Sequence, residues 1–168
     1  FAIDANANPP VEINSFDHVG TILFNMVANP VSGNLYVSNT DSQNHVRFEG
    51  PGTLATGVKP PGEPTTVRGH LAEARITVID GLGNVSPRHL NKHIDYAAAP
   101  QPADTELKSL ATQLEMAVSN DGTTLYVAAF GSGVIGVFDT AELEGNSFTP
   151  DEADHISLSG GGPAAVIL

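Results

Sequence analysis

Apolar positions along the chain come in short runs, cut by breaks rich in Gly, Asn, Asp and Pro, and few of the runs repeat with a helical period. The clearest stretch is Met116 to Thr140, which reads Met-Ala-Val, then Ser-Asn-Asp-Gly, then Leu-Tyr-Val-Ala-Ala, then Gly-Ser-Gly, then Val-Ile-Gly-Val-Phe-Asp-Thr. It predicts three strands, at Glu115–Val118, Leu125–Ala129 and Val134–Asp139. Asn120-Asp121-Gly122 supplies the first turn, expected as type I′ because Asp-Gly tolerates positive φ. Gly131-Ser132-Gly133 supplies the second. The middle strand is apolar throughout, as expected of a strand buried on both faces.

Taken from the start, Phe1-Ala2-Ile3-Asp4 matches the Val-Phe-Asp end of that third strand. Val11–Val19 predicts a fourth, outer strand, with Pro9 and Pro10 at its entrance. Thr21–Val27 and Leu35–Asn39 predict the next two strands, with a turn at Asn29–Asn34. Gly50–Arg68 is too rich in Pro and Gly to hold inner strands. The next strand is expected at Ala74–Asp80, so residues 41–73 read as a long excursion between two paired strands, a kind of segment that is often functional. Val85–Tyr96 should hold an outer strand in its later half, and Ala97–Asp104 a linker. Leu107–Thr112 reads as a short turn or strand. Thr140–Asn146 is polar. A single helical turn is expected at Thr149-Pro150-Asp151-Glu152, with Thr149 as cap, then a strand at His155–Leu158. Gly160-Gly161-Gly162-Pro163 leads into an apolar strand at Ala164–Leu168.

The chain repeats itself. Shifted by 90 positions, Met26, Leu35, Tyr36, Val37, Ser42 and Phe48 fall on Met116, Leu125, Tyr126, Val127, Ser132 and Phe138 without a gap. Identities clustered on strand positions mark a structural repeat. The strand–Asp-Gly–Leu-Tyr-Val–Gly-Ser-Gly–Val-x-Val-Phe-Asp unit, with its Leu-Tyr-Val-Ser-Asn counterpart at 35–39, resembles one blade of a β-propeller of the YVTN type. The resemblance implies an all-β partial propeller: about two complete four-stranded antiparallel blades plus parts of two flanking ones. Residues 1–19 would be the tail of a preceding blade, 20–96 a blade with an insertion at about 41–73, 107–158 a second blade, and 159–168 the start of the next. Blades typically take about 40–50 residues, and the Pro- and Gly-rich insertion favours one enlarged blade over two for the first repeat.

Composition narrows the function classes. A formal net charge of −12 argues against nucleic acid or an anionic membrane as partner. Cysteine is absent, which excludes disulfides and thiolate metal ligands within this stretch. No run is long and apolar enough for a membrane-spanning helix. The chain begins at Phe1 without a signal peptide, and is expected to be a piece of a longer protein or a processed product. Propellers close at four or more blades, so the open ends are expected to meet the remaining blades of a longer chain, another protein, or further copies as a homo-oligomer.

Candidate chemistry is sparse. Arg47, Arg68, His70, Arg75 and Arg88 gather around the excursion in a chain with seven Lys and Arg. They are candidates to bind an anion such as a carboxylate or haem propionate; the plainer reading pairs them with Glu49, Glu63, Glu73 and Asp80. His89 and His93, four apart, would share a face of a strand or helix, and so offer a metal pair. They lack the glutamate of His-Glu-x-x-His, and hydrogen-bonded surface histidines explain them more simply. Asp41–Asn44 and Asp151–Asp154 carry oxygen ligands but match no EF-hand loop. No metal ligand set and no cofactor is evident, and no phosphate or dinucleotide fingerprint is present.

Similar propellers occur in bacterial and archaeal surface and periplasmic proteins, and in quinoprotein amine dehydrogenase heavy chains, haem-d1 nitrite reductase, nitrous-oxide reductase and lactonases. No catalytic residue carries over from these, because no matching site motif occurs here. The expected function is a non-catalytic binding or scaffold module of an exported or surface protein. The alternative is a piece of a propeller enzyme, either a cofactor-dependent oxidoreductase or a lactonase-like hydrolase. A third reading is a structural ring of half-propellers.

Overall fold

A computed structural model of the chain describes residues 1–42, 70–96, 98 and 100–168. The strands are β1 (Ala2–Asp4), β2 (Val11–Asn14), β3 (Ile22–Ala28), β4 (Leu35–Ser42), β5 (Ala72–Ile79), β6 (Val85–His89), β7 (Gln113–Val118), β8 (Thr124–Ala129), β9 (Val134–Asp139) and β10 (His155–Ser157). They form three antiparallel sheets of two, four and four strands: β1-β2, β3-β4-β5-β6 and β7-β8-β9-β10. Each four-stranded sheet is a simple meander, the all-β arrangement of a partial propeller, and among the described residues no sheet closes into a barrel.

Turn chemistry sets each register. Between β5 and β6, Asp80 Oδ1 accepts from the backbone N–H groups of Leu82 and Asn84, both at 2.9 Å. Gly83 N–H donates to the Asp80 carbonyl at 2.9 Å, and Gly83 takes a φ of 85°, which costs glycine nothing. Between β7 and β8 the turn differs from the expected type I′. Gly122 alone has positive φ (74°) and its N–H donates to the Ser119 carbonyl. The Asp121 carboxylate instead binds Ser119 and the Thr123 backbone and hydroxyl, so Asp121 stays in ordinary φ/ψ space and only the glycine turns left-handed.

The two four-stranded sheets pack face to face. Tyr36, Ile76 and Val78 of the first meet Met116, Leu125, Val127, Ala129 and Phe138 of the second in one buried core. Leu90 and Leu110 close it at one end, and Leu143 and Phe148 extend it. Polar links cross the seam. Ser38 Oγ donates to the Leu114 carbonyl at 2.6 Å, and Asn29 Nδ2 to the Gly122 carbonyl at 2.8 Å. A smaller cluster of Val19, Val37 and Ile79, joined by Phe16, Leu35 and Val85, lies on the other face of the first sheet.

Several local expectations are corrected. The outer strand of the first sheet occupies the earlier half of 85–96, because the tight Asp80–Asn84 turn leads straight into pairing and Pro87 is tolerated on an edge. The excursion is narrower than 41–73: β4 and β5 stay paired as far as Ser42 opposite Ala72. Residues 140–145 are a short helix, α1 (Thr140–Gly145), capped by Asp139 accepting from the Glu142 N–H at 2.9 Å. This is the Asp-x-x-Glu cap pattern. The helical turn expected from Thr149 lies at Glu152–Asp154 instead, with Asp151 as its cap. Of the two forms expected for Leu107–Thr112, turn or strand, the structure has turn leading into irregular backbone, whereas Ala164–Leu168, expected as a strand, is not one, since among the described residues no neighbouring strand supplies its ladder.

Candidate functional site

The meander brings the end of β4, the start of β5 and the end of β6 to one rim of the first sheet. Asp41 lies opposite Glu73, and Arg75 opposite His89. Alternation points these side chains to one face. Arg75 bridges both acids: Nη1 meets Asp41 Oδ2 at 2.8 Å, while Nε and Nη2 meet Glu73 Oε2 at 2.8 and 2.5 Å. The second Glu73 oxygen faces His70 Nε2 at 2.9 Å. Asp41 Oδ1 accepts from the Thr21 hydroxyl at 3.0 Å.

Aromatic stacking completes the cluster. The His70 and Tyr96 rings lie 3.7 Å apart at 10°, and the Tyr96 hydroxyl reaches His89 Nε2 at 3.3 Å. Behind them, Gln113 of β7 donates its side-chain amide to the Asn39 carbonyl and to the Arg75 carbonyl, tying the rim to the second sheet.

The electrostatics follow from this geometry. Burial pushes the Glu73 carboxyl up, but hydrogen bonds from His70 and Arg75 outweigh it and hold the group below its ordinary value. Burial keeps the His89 imidazole below its ordinary value, against the pull of Glu73. Burial, then the Glu73 charge, raises the Tyr96 phenol.

The sequence-derived candidates divide. His70 and His89 join the rim, together with Arg75. Arg88 does not: its Nε and Nη2 donate to the Leu143 and Glu144 carbonyls at 2.9 and 2.5 Å, at the C-terminal end of α1. Its partners are helix carbonyls rather than the acids expected. His93 sits apart from His89 in partnership, with Nε2 near the Thr105 carbonyl at 3.1 Å and Ser109 Oγ at 3.2 Å. Arg47 and Arg68, with most of the excursion, fall outside the described residues. Sequence reasoning missed Asp41 as a partner of Arg75, and Tyr96. The pairing of β4 with β5 beyond Asn39 carries the first; the second lies on a connection whose path no local pattern specifies.

The rim links two carboxylates, a guanidinium, two imidazoles and a phenol in one chain of contacts. Among the described residues no group of three or more His, Asp or Glu is placed to hold a metal ion. No helix among them is long and apolar enough to cross a membrane.

No protein-family model matches the chain, and no curated protein matches it in sequence. Among solved structures it is similar to Kuenenia stuttgartiensis hydrazine synthase, a β-propeller-containing protein, with a TM-score of 0.56 and 17% identity. The match covers 88% of this chain and 39% of that one. The chain thus shares a β-propeller-type fold with a section of a longer protein.

Proposed function

We propose that the chain is a section of a YVTN-type propeller serving as a non-catalytic binding or scaffold module of an exported protein, periplasmic, at the cell surface or secreted. The observation that carries this reading is the mutual engagement of the rim groups. A general acid or base must be free to exchange its proton with a substrate. Here both Glu73 oxygens are taken by His70 and Arg75, Arg75 is shared with Asp41, and His89 faces Tyr96. Such a rim is a fixed polar and aromatic surface suited to a protein partner, either another protein, the remaining blades of a longer chain, or a further copy. The acidic balance of the chain opposes nucleic acid as that partner.

A second reading, a piece of a propeller oxidoreductase or lactonase-like hydrolase, draws on the nearness of Glu73, His70, His89 and Tyr96 to one another. One experiment separates the two. A photo-crosslinking residue replaces exposed Leu71 beside the rim, or exposed Leu82 at the opposite end of the sheet as control. Incubation with an extracytoplasmic protein extract is expected to give a discrete adduct from position 71 alone, lost on Arg75→Ala. No rim-specific adduct, with bound metal, a visible chromophore or lactone hydrolysis abolished by His89→Ala, would overturn the proposal.

A further inference from the structure

The chain from the end of β9 through α1 and back to β10 encloses a cavity of about 120 Å³ that shares no residue with the rim. Its inner wall is apolar. Leu90 and Leu110 come from the seam between the sheets, and Phe138 and Phe148 stand beside them, all four at most 9% exposed. The two rings meet edge to face, with centroids 5.5 Å apart at 86°. Phe148 already attracts a cation: the Lys92 ammonium lies 3.6 Å from its ring centroid and donates to the Asn146 carbonyl at 3.1 Å. Lys92 itself lies outside the cavity.

The solvent side of the same cavity is acidic. Asp139, Glu142, Asp151 and Asp154 line it, all exposed. Asp139 and Asp151 each accept a backbone N–H through one oxygen, at the start of α1 and of the helical turn at Glu152–Asp154. Among the described residues, no Lys, Arg or His lies within ion-pair distance of any of the four. Lys108 lines the cavity, but its ammonium is held by Asp104 at 2.6 Å. His155 lines it too, and burial holds its imidazole below the ordinary value, so it brings no charge at neutral pH.

We infer that this cavity is a binding site for a small alkylammonium ion, with the alkyl body against Leu90, Leu110, Phe138 and Phe148 and the charged head among the carboxylates. A metal ion needs several oxygens converging on one point. Among the described residues no three His, Asp or Glu are placed that way, and the wall behind the carboxylates is apolar. An ion with an apolar body and a charged head matches both parts of the cavity, whereas a neutral apolar molecule leaves the carboxylates without a counter-charge. At about 120 Å³ the cavity is smaller than the roughly 150 Å³ that admits a benzene ring, so it takes a short chain. A free amine and the lysine side chain of a protein partner offer the same chemistry. The site goes beyond the partner surface proposed for the rim and does not depend on it.

Titration of the whole chain with n-butylammonium chloride at fixed ionic strength, followed by calorimetry and by NMR of the Phe138 and Phe148 ring protons, tests it. Saturable binding that shifts both rings is expected, with 1-butanol at least about tenfold weaker and butyrate without effect. Glu142→Gln combined with Asp154→Asn should weaken butylammonium binding about tenfold. Both residues are exposed and neither side chain caps a helix, so circular dichroism should be unchanged in the double variant. N-acetyl-lysine methylamide separates the two sources: binding tighter than butylammonium assigns the site to a partner's lysine side chain, and weaker binding assigns it to a free amine. Butanol binding as tightly as butylammonium, butylammonium binding unchanged in the double variant, or rings that do not shift would overturn the inference. The Arg75-dependent rim adduct would survive that result, so the two proposals fail separately.

Discussion

At the residue scale, a few buried polar groups fix the seam between the sheets. The Tyr36 hydroxyl donates to Glu144 Oε1 at 2.5 Å and accepts from Asn29 Nδ2 at 3.0 Å. Burial, reinforced by Glu144, pushes its phenol up to about 12. Protonated Tyr36 therefore supports the fold fully below the ordinary phenol value and loses that support as pH rises toward 12. Tyr36→Phe should cost about 2 kcal/mol at neutral pH, or roughly 4–8 °C in Tm, and should remove part of the alkaline unfolding above pH 10. At the acid end the signs reverse. His89 is held neutral by burial, so the unfolded chain takes up its proton first and stability declines as pH falls below 6.5, the ordinary imidazole value. Glu73 adds a second loss at lower pH, below the ordinary carboxylate range, as its bonds to His70 and Arg75 are broken by protonation. A Tm–pH series should show the upper step diminished in His89→Asn and the lower step retained. The clustering of these basic residues is visible in the sequence, but their partners are not. Arg75 reaches across a strand to Asp41, and Arg88 reaches to a helix end more than 50 positions away.

At the element scale, glycines with positive φ look alike in sequence and differ in what surrounds them. Gly33 has a φ of 75° and open space where a Cβ would stand. Gly122 has a φ of 74°, and a Cβ there would fall 2.5 Å from Asn29 Oδ1 and 2.9 Å from Val31 Cβ, on the turn that receives the Asn29 hydrogen bond. Gly33→Ala should therefore cost only the conformational penalty of about 1–2 kcal/mol, and Gly122→Ala clearly more, a ranking that urea unfolding of the two variants measures. Hairpin positions were legible in the sequence because Asp-Gly, Asn-Pro and Gly-x-Gly punctuate apolar runs. The turn type at 119–122 was not, because Asp121 binds Ser119 and Thr123 rather than turning left-handed itself. The helix α1 was missed because a polar six-residue segment has no apolar period to reveal it. Its only local signal is the spacing of Asp139 from Glu142, three residues on.

At the scale of the whole molecule, the order of strands followed from the repeat, since a meander of four strands is the shortest route that returns the chain to begin the next sheet. The packing partner of each face did not follow from alternation alone, because both faces of β4 and β8 are apolar. Only the assembled structure shows that Tyr36 faces the second sheet while Val37 faces the cluster of Val19 and Ile79. The central claim is that the two four-stranded sheets form one cooperative unit, joined by a shared core and by the Asn29, Ser38 and Gln113 hydrogen bonds across the seam. Native-state hydrogen exchange tests this most directly. Amides in β4, β5 and β8 are expected to exchange slowly, with one common opening free energy, including those near Ala74 and Arg75 at the rim. If one sheet's amides open at a much lower free energy than the other's, the sheets are independent and the account of a single propeller section is contradicted.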